Sequence, residues 1–283
     1  MPELPEVESI RLQLEKYLVG HKIKSVEIRN HKIFQGEPKD IAGVRVKSVR
    51  RFAKVLSIDL VNEFSIVIHI KLTGQLIYRG PNLPANNQKL SSKVLGGIPG
   101  PHTHLIFKLD RNGFLYYNDV RKFGCIKILK TNEVEKTGLI GRLGPEPFKE
   151  LTFDKFHTIV SKSSRSIKVL LMDQEKIGGI GNIYANDALW LAQIDPRKPA
   201  IKLSNNETRK LYEAILSVLK KGLKYGGASE LAFVTPDGSE GKYQEHTLVY
   251  GREGKLCKRC NKAEIQKYFL SGRGTYFCPV CQK

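Results

Sequence analysis

Residues 44–70 read VRVKSVRRFAKVLSIDLVNEFSIVIHI. In this stretch β-branched and other apolar residues are concentrated in three short runs, and charged or polar residues separate the runs. Such runs are typical of neighbouring β-strands, which we predict at 44–49, 55–60 and 65–70. Short strands at this spacing predict a β-sandwich.

The same composition continues towards the middle of the chain. Further strands are predicted at 104–109, 114–118 and 124–129, after a loop at 80–101 that is rich in Pro, Gly, Asn and Ser. Near the N-terminus, apolar residues recur at helical spacing and predict a helix over about residues 7–18. The first part of the chain is therefore expected to be a β-sandwich with an N-terminal helix.

The pattern changes after residues 144–147, GPEP, which read as a linker. Helical spacing then predicts helices at 152–162, 166–173, 183–192 and 205–225. Residues 226–246 are polar and rich in glycine, and we predict a mobile loop there. Strands followed by helices predict the α+β fold class.

Four of the five cysteines form a metal-ligand pattern near the C-terminus. Cys257 and Cys260 are followed, after seventeen residues, by Cys278 and Cys281. Two C-x-x-C pairs at this separation are typical of a tetrahedral zinc site, and a chain without a secretory signal is expected to keep such thiols reduced. We predict one zinc ion per chain.

The chain is strongly basic, with a net charge of +19 and a pI near 9.7. Residues 1–150 carry 25 Lys and Arg against 15 Asp and Glu, and residues 151–283 carry 22 against 13. Two basic halves predict a shared polyanion, with nucleic acid as the leading candidate and a basic surface kept for solubility as the alternative. Because no apolar stretch is long enough for a membrane span and the first residues are acidic, we expect a cytoplasmic protein without a membrane partner.

Residues 2–8 read PELPEVE, directly after Met1. Removal of Met1 would leave Pro2 with a free secondary amine next to the carboxylic acid of Glu3. An amine beside an acid can form a Schiff base at a sugar carbon, and an α-amine loses its proton near pH ~8 rather than near ~10 like lysine. The structural alternative is a helix start, where proline and acidic residues are also common.

Other stretches combine cations with aromatic residues or glycines, as nucleic-acid-binding surfaces do. Lys54 lies between two predicted strands, where it is either a second amine for catalysis or a solvated turn residue. Residues 119–124, DVRKFG, place Phe123 beside Arg121, which suits insertion into a base stack or an exposed turn with a cation–π pair. Arg273 lies between two glycines and suits phosphate contact from the zinc hairpin.

Motifs in the same order along nearly the whole chain resemble bacterial formamidopyrimidine-DNA glycosylases. They are PELPEVE at 2–8, D-x-R-x-F-G at 119–124, LGPEP at 143–147, GIGNIYA at 179–185 and the four cysteines. The resemblance implies a catalytic β-sandwich domain at 1–143, a helix–two-turn–helix DNA-binding domain at 144–240 and a zinc-finger β-hairpin at 241–283. It also implies a bifunctional DNA glycosylase and AP lyase of base excision repair. Such an enzyme excises 8-oxoguanine and formamidopyrimidines and then cleaves the strand by β,δ-elimination.

The resemblance implies roles for single residues. Pro2 is the Schiff-base nucleophile, and Glu3 moves protons at the sugar ring. Lys54 acts in β-elimination and Arg273 in δ-elimination. The DNA-contacting positions are Leu72, His102, Arg121, Phe123, Lys168 and Asn182. Of these, Leu72, Arg121 and Phe123 fill the base stack after the damaged nucleotide has left it. The implied partner is double-stranded damaged DNA, bound by a monomer.

Three features depart from the family pattern. Leu72 stands where the family usually has methionine, the cysteine spacing is one residue longer, and Ala228 and Ser229 stand where two hydroxyl residues are common. One alternative is an endonuclease VIII-like glycosylase for oxidised pyrimidines, a group that usually has glycine where this chain has Leu4. The other is a non-catalytic zinc-ribbon DNA-binding protein, which would not explain the N-terminal motif.

Overall fold

The computed structural model describes residues 1–84 and 89–283, and the chain divides into two units. The first unit combines Met1–Gly141 with Tyr225–Gln244, and the second combines Arg142–Lys224 with Glu245–Lys283. Each unit therefore contains two separate segments of the chain. The three consecutive domains that the resemblance implies stay a prediction.

Helix α1 opens the first unit and covers Leu4–Leu18. Pro5 lies in its first turn, where the missing N–H of proline needs no partner. The backbone N–H of Glu3 donates to Glu6 Oε2 over 2.7 Å, as in a capping box. These start signals explain why the helix begins three residues earlier than the apolar spacing predicts.

Strands of the first unit form two sheets. They are β1 (Ile23–Ile28), β2 (Phe34–Gln35), β3 (Val46–Phe52), β4 (Val55–Leu60), β5 (Phe64–His69), β6 (Gly74–Arg79), β7 (Thr103–Leu109), β8 (Phe114–Asp119) and β9 (Cys125–Lys130). Among the described residues, one sheet has the order β1-β7-β8-β6 and the other β2-β9-β5-β4-β3. Neighbours pair antiparallel except β2 and β9, which pair in parallel. The inner faces and α1 share one core, which confirms the predicted β-sandwich.

Three of these strands were not predicted from the sequence. β1 is mostly exposed or half-buried, so its sequence, IKSVEI, lacks the continuous apolar run of a central strand. β2 has only two residues. β6 begins with Gly74, where a Cβ atom would lie 2.3 Å from the carbonyl oxygen of Ile70. Close packing therefore requires glycine at this position, and glycine is a weak strand former.

The second unit contains helices and a β-hairpin. They are α2 (Phe153–Ser161), α3 (Ile167–Met172), α4 (Asn182–Leu191), α5 (Asn205–Lys224), β10 (Gln266–Leu270) and β11 (Arg273–Phe277). Helix α4 packs against α5, where Gly222 leaves room for the ring of Tyr184. The α+β fold class is confirmed. No helix in the described part of the chain combines the length and apolar character that crossing a membrane requires.

Residues 225–244, most of the stretch predicted as a mobile loop, belong to the first unit. Phe233 is buried in the core of the sandwich. Gln75 Nε2 donates to the carbonyl of Ala232 over 2.6 Å, and the backbone N–H of Tyr78 donates to the carbonyl of Pro236 over 2.7 Å. The stretch is therefore anchored to β6 by both backbone and side-chain hydrogen bonds.

Candidate active site and nucleic-acid interface

The N-terminus of the chain is enclosed by acidic and basic groups. Pro2 and Glu3 are buried, although α1 begins directly after them. Burial lowers the pKa of the Met1 amine, which precedes Pro2, below its ordinary value, with Glu3 and Glu6 raising this pKa and Lys54 lowering it further. An amine in these surroundings is more readily neutral, and the neutral form is the nucleophile.

Lys54 reaches this neighbourhood from a tight turn. Phe52 pairs with Val55, so Ala53 and Lys54 alone connect β3 to β4, and Ala53 adopts a left-handed φ of 49°. Lys54 is only 4% exposed, unlike the solvated turn lysine of the structural alternative. The first unit therefore brings the amine, two carboxylates and one lysine together.

Glu6, the second acid of the N-terminal motif, is a part of this site to which the sequence analysis assigned no role. Its Oε2 accepts from Glu3, and its Oε1 accepts from the backbone N–H of Ala228 over 2.7 Å. Gly227 has a φ of 83°, and a Cβ atom there would lie 2.7 Å from the Glu6 side chain. One carboxylate therefore fixes both the start of α1 and residues 227–228. The available sequence signal was a glutamate three residues after the helix cap.

His69 is a second residue that the sequence analysis missed. Burial, with the nearby charges of Lys71 and Lys54, lowers the pKa of its imidazole to about 3. Its Nδ1 accepts the backbone N–H of Lys71 over 3.1 Å, so the proton of the neutral ring lies on Nε2. His69 is therefore an uncharged hydrogen-bond donor within the electrostatic reach of Lys54.

A buried carboxylate connects the segments that carry the predicted stack-filling residues. Asp119 Oδ1 accepts from Thr73 Oγ1 over 2.5 Å and from the backbone N–H of Arg121 over 3.2 Å. Its Oδ2 accepts the backbone N–H of Gly124 over 2.8 Å. Because Asp119 is fully buried, it holds the turn after Leu72 and the turn at 120–124 in one fixed arrangement.

The side chains on the two turns that Asp119 anchors are accessible to solvent. Phe123 is 58% exposed, Arg121 is exposed and Leu72 is half-buried. The guanidinium carbon of Arg121 lies 4.7 Å from the centre of the Phe123 ring. The carbonyl of His102 accepts the backbone N–H of Asp119, so this predicted DNA contact lies beside the same anchor. An exposed apolar and cationic set on a rigid base suits a nucleic-acid surface.

In the second unit, two predicted DNA-binding residues converge on the start of strand β11, directly after the hairpin turn. Lys168 Nζ donates to the carbonyl of Gly274 over 2.9 Å and to Thr275 Oγ1 over 2.7 Å. Asn182 Nδ2, from the first residue of α4, donates to the same carbonyl over 3.1 Å. Lys168 is 1% exposed, whereas Arg273 is exposed. These bonds hold the turn that presents Arg273.

The four predicted metal ligands lie together. The Sγ atoms of Cys257, Cys260, Cys278 and Cys281 are all within 4.8 Å of one another. Cys257 and Cys281 are 3.9 Å apart, and Cys260 and Cys278 are 3.8 Å apart. A tetrahedron with zinc–sulfur bonds of about 2.3 Å has sulfur–sulfur edges of about 3.8 Å. The arrangement therefore fits a zinc ion.

Comparison with known proteins decides the family. Residues 1–126 match the formamidopyrimidine-DNA glycosylase N-terminal domain, and residues 143–233 match the formamidopyrimidine-DNA glycosylase H2TH domain. The chain belongs to the formamidopyrimidine-DNA glycosylase family. The family predicted from the motifs is thereby confirmed, and with it the enzyme class of a DNA glycosylase that contains a helix–two-turn–helix domain.

Individual members of the family match over their full length. The formamidopyrimidine-DNA glycosylase of Lactococcus lactis subsp. cremoris is 38% identical, and that of Listeria monocytogenes is 36% identical, each with full coverage of both chains. A crystal structure of a Lactococcus lactis mutant with Fapy-dG-containing DNA superposes with a TM-score of 0.86 at 35% identity and full coverage. A Lactococcus lactis complex with abasic-site DNA gives 0.85 at 36% identity and 99% coverage of both chains.

Proposed function

We propose that this glycosylase excises oxidised purines from double-stranded DNA through a Schiff base on Pro2 and then cleaves the strand by β,δ-elimination. The observation that carries the proposal is the burial of Pro2 and Glu3 at the start of α1, with Glu6 bonded to Glu3 and the charge of Lys54 acting on the same N-terminus. A helix start with only a structural role would not require a buried lysine near the N-terminus, where Lys54 lies. The proposed substrates are 8-oxoguanine and formamidopyrimidines, in base excision repair.

The proposed chemistry starts after Met1 has been removed. The lone pair of the Pro2 nitrogen attacks C1′ of the deoxyribose, and the bond from C1′ to the base breaks, with its electron pair leaving on the base together with a proton. The sugar ring then opens to an iminium as O4′ takes up a proton, which Glu3 supplies. Lys54 acts in the β-elimination of the 3′ phosphate and Arg273 in the δ-elimination of the 5′ phosphate.

The target nucleotide must leave the duplex for this attack. We propose that Leu72, Arg121 and Phe123 fill the gap, with Arg121 bonding the unpaired partner base. His102, Lys168 and Asn182 contribute to binding of the DNA backbone. For Lys168 and Asn182, the bonds to Gly274 support a contribution through the Arg273 turn.

We further propose that one zinc ion per chain binds the four clustered thiolates. When bound, the ion supplies folding free energy to the short C-terminal segment. The geometry that supports this is the cluster of four sulfur atoms within 4.8 Å of one another, two pairs of which are 3.8 and 3.9 Å apart. The protein is proposed to act as a monomer in the bacterial cytoplasm.

Borohydride trapping on abasic-site DNA tests the proposed chemistry. Wild-type protein should give a covalent adduct, and Pro2→Gly should lose most base excision while still binding lesion DNA. Pro5→Ala, which changes the nearby proline in the first turn of α1, is the matched control and should react normally. The trapping rate should rise with pH as the amine loses its proton, which an unperturbed α-amino group does near pH ~8.

Two outcomes contradict the proposal in different ways. Full excision by Pro2→Gly, or by protein whose intact mass includes Met1, removes Pro2 as nucleophile. Oxidised pyrimidines are the competing substrate class, because one Lactococcus lactis structure is a complex with oxidised-pyrimidine DNA. Faster excision of an oxidised pyrimidine than of 8-oxoguanine, in otherwise identical duplexes, would favour that class.

A further inference from the structure

Helix α4 contacts the cysteine-bearing segment through residues spaced four apart. Asn182, Asn186 and Trp190 lie on one side of the helix because four residues make about one turn. Asn182 donates to the hairpin turn at Gly274, and Asn186 Oδ1 accepts the backbone N–H of Tyr276 over 2.8 Å. The last member of this row reaches the metal-ligand cluster itself.

Trp190 donates a hydrogen bond to a predicted zinc ligand. Its Nε1–H points to Cys257 Sγ over 3.4 Å, and the side chain is only 6% exposed. The ring is buried in one apolar cluster with Val249, Ile265 and Cys278. Since Trp190 is the single tryptophan of the chain, its indole N–H can be observed without interference from another indole.

Arg259 holds the same half of the cluster against the end of α4. It lies between Cys257 and Cys260, and its guanidinium carbon is 4.1 Å from the centre of the Trp190 ring. Its two Nη atoms donate to the carbonyls of Trp190 and Leu191 over 2.8 and 3.0 Å. These carbonyls belong to the last turn of α4, where a nearby cation is favourable.

We propose that Trp190 is a positioning residue for the zinc site, and that its N–H bond to Cys257 sets how slowly the finger releases its metal. The inference rests on the proposed zinc site. Four thiolates carry more negative charge than one divalent ion balances, so an N–H donor offsets part of the excess on Cys257. The bond also fixes the direction in which that sulfur presents its lone pairs. Arg259 holds the Cys257–Cys260 segment in place against the indole ring and the end of α4.

The test compares Trp190→Phe with wild-type protein in full-length, zinc-loaded form. Phenylalanine keeps an aromatic ring under Arg259 and removes the N–H donor together with the five-membered part of the indole. Zinc transfer to a chromogenic chelator should become faster by on the order of tenfold, as for other lost partners of metal ligands. After cobalt substitution, the thiolate-to-metal charge-transfer band should move to lower energy, which a change in packing alone would not cause.

Tyr268→Phe is the matched control. Its hydroxyl lies in the same finger, is buried and has no hydrogen-bond partner in the described part of the chain. This variant should release zinc at the wild-type rate and keep the cobalt band. Equal release and an unchanged band in Trp190→Phe would overturn the inference.

A measurement on wild-type protein decides the matter if Trp190→Phe does not fold. Hydrogen exchange of the single indole N–H, followed by proton NMR, should be slow with zinc, faster after chelation and slow again after zinc is restored. An indole N–H exchange rate that is the same with and without zinc overturns the inference. Wild-type protein without any bound zinc would instead refute the proposed zinc site, so the two failures are distinguishable.

Discussion

Glu3 occupies a position where a carboxylate serves both a helix and, in our proposal, a reaction. It is the cap residue of α1 and is 2% exposed, yet it lies beside the N-terminal amine. The backbone N–H of Glu3 donates to Glu6, and the Glu3 side chain accepts the backbone N–H of Glu6, so glutamine, which keeps a side-chain oxygen as acceptor, should leave the helix start intact. The catalytic role is therefore testable.

Glu3→Gln should bind lesion DNA with wild-type affinity and lose excision by about 10²–10⁴-fold, the usual contribution of a positioned acid or base. Single-turnover excision and a binding titration measure the two quantities. Glu37→Gln, which removes an exposed carboxylate of the same unit, is the control. Normal excision by Glu3→Gln would remove Glu3 from the mechanism.

Phe123→Ala should slow excision from duplex DNA and leave trapping on a single-stranded abasic substrate unchanged. The reason is that an inserted side chain offsets the unstacking cost of a few kcal/mol, which a single strand does not require. Asp119→Asn should show the same split, because Asp119 holds both turns that carry the stack-filling residues.

Phe148 provides the control for this experiment, since it is also an exposed phenylalanine, at 48% against 58% for Phe123. Phe148→Ala should excise normally. If Phe123→Ala loses activity equally on both substrates, its role is structural rather than the filling of a gap.

Arg121→Ala should weaken the preference among bases opposite the lesion. The reason is that Arg121, unlike Leu72 and Phe123, has side-chain hydrogen-bond donors.

At the level of elements, the C-terminal hairpin depends on more than its own strands. β10 and β11 form an isolated pair, and a two-stranded hairpin alone is only marginally stable in water. Bonds from Lys168 and α4, together with the cysteine cluster, hold its turn and its base. We therefore expect the loss of metal to disorder Arg273.

Cys278→Ser should lose bound zinc and weaken DNA binding. If one charge-assisted phosphate contact from Arg273 is lost, the cost is about 1.5–3 kcal/mol, which is roughly a tenfold to hundredfold rise in Kd. Metal analysis and a binding titration measure both effects. Cys125→Ser, outside the cluster, is the control. Fully active wild-type protein without zinc would contradict this prediction.

At the level of the whole molecule, the positive charge is divided between both halves of the chain. The predicted DNA contacts also come from both units, with Arg121 in the first and Arg273 in the second. If both units contact phosphates as predicted, each contact releases counterions from the DNA. Binding should therefore be strongly dependent on salt.

Each neutralised phosphate contributes about −0.9 to the slope of log K against log salt concentration. Arg273→Ala should reduce the steepness by about one such contact, whereas Phe123→Ala should weaken binding without changing the slope. Titrations over a range of salt concentrations measure both. Affinity that hardly depends on salt would argue against backbone contacts from either unit.

The family, the cluster of four cysteines and most elements could be predicted from the sequence because their signals are local. The period of apolar residues reports one face of α1 or of β4, and two C-x-x-C pairs report a metal site at any position in a fold. The start of α1 was predicted too late because capping, rather than apolar spacing, decides where a helix begins.

The tertiary structure alone decided which distant residues meet. The bond from Ala228 to Glu6 and the bond from Trp190 to Cys257 join positions that are far apart in the chain. The burial of Lys54 depends on which other segments cover its turn. No local spacing encodes such contacts, because they follow from how sheets, helices and loops pack. The sequence therefore determined the chemical groups, and packing determined the environment that changes the pKa of the amine and of His69.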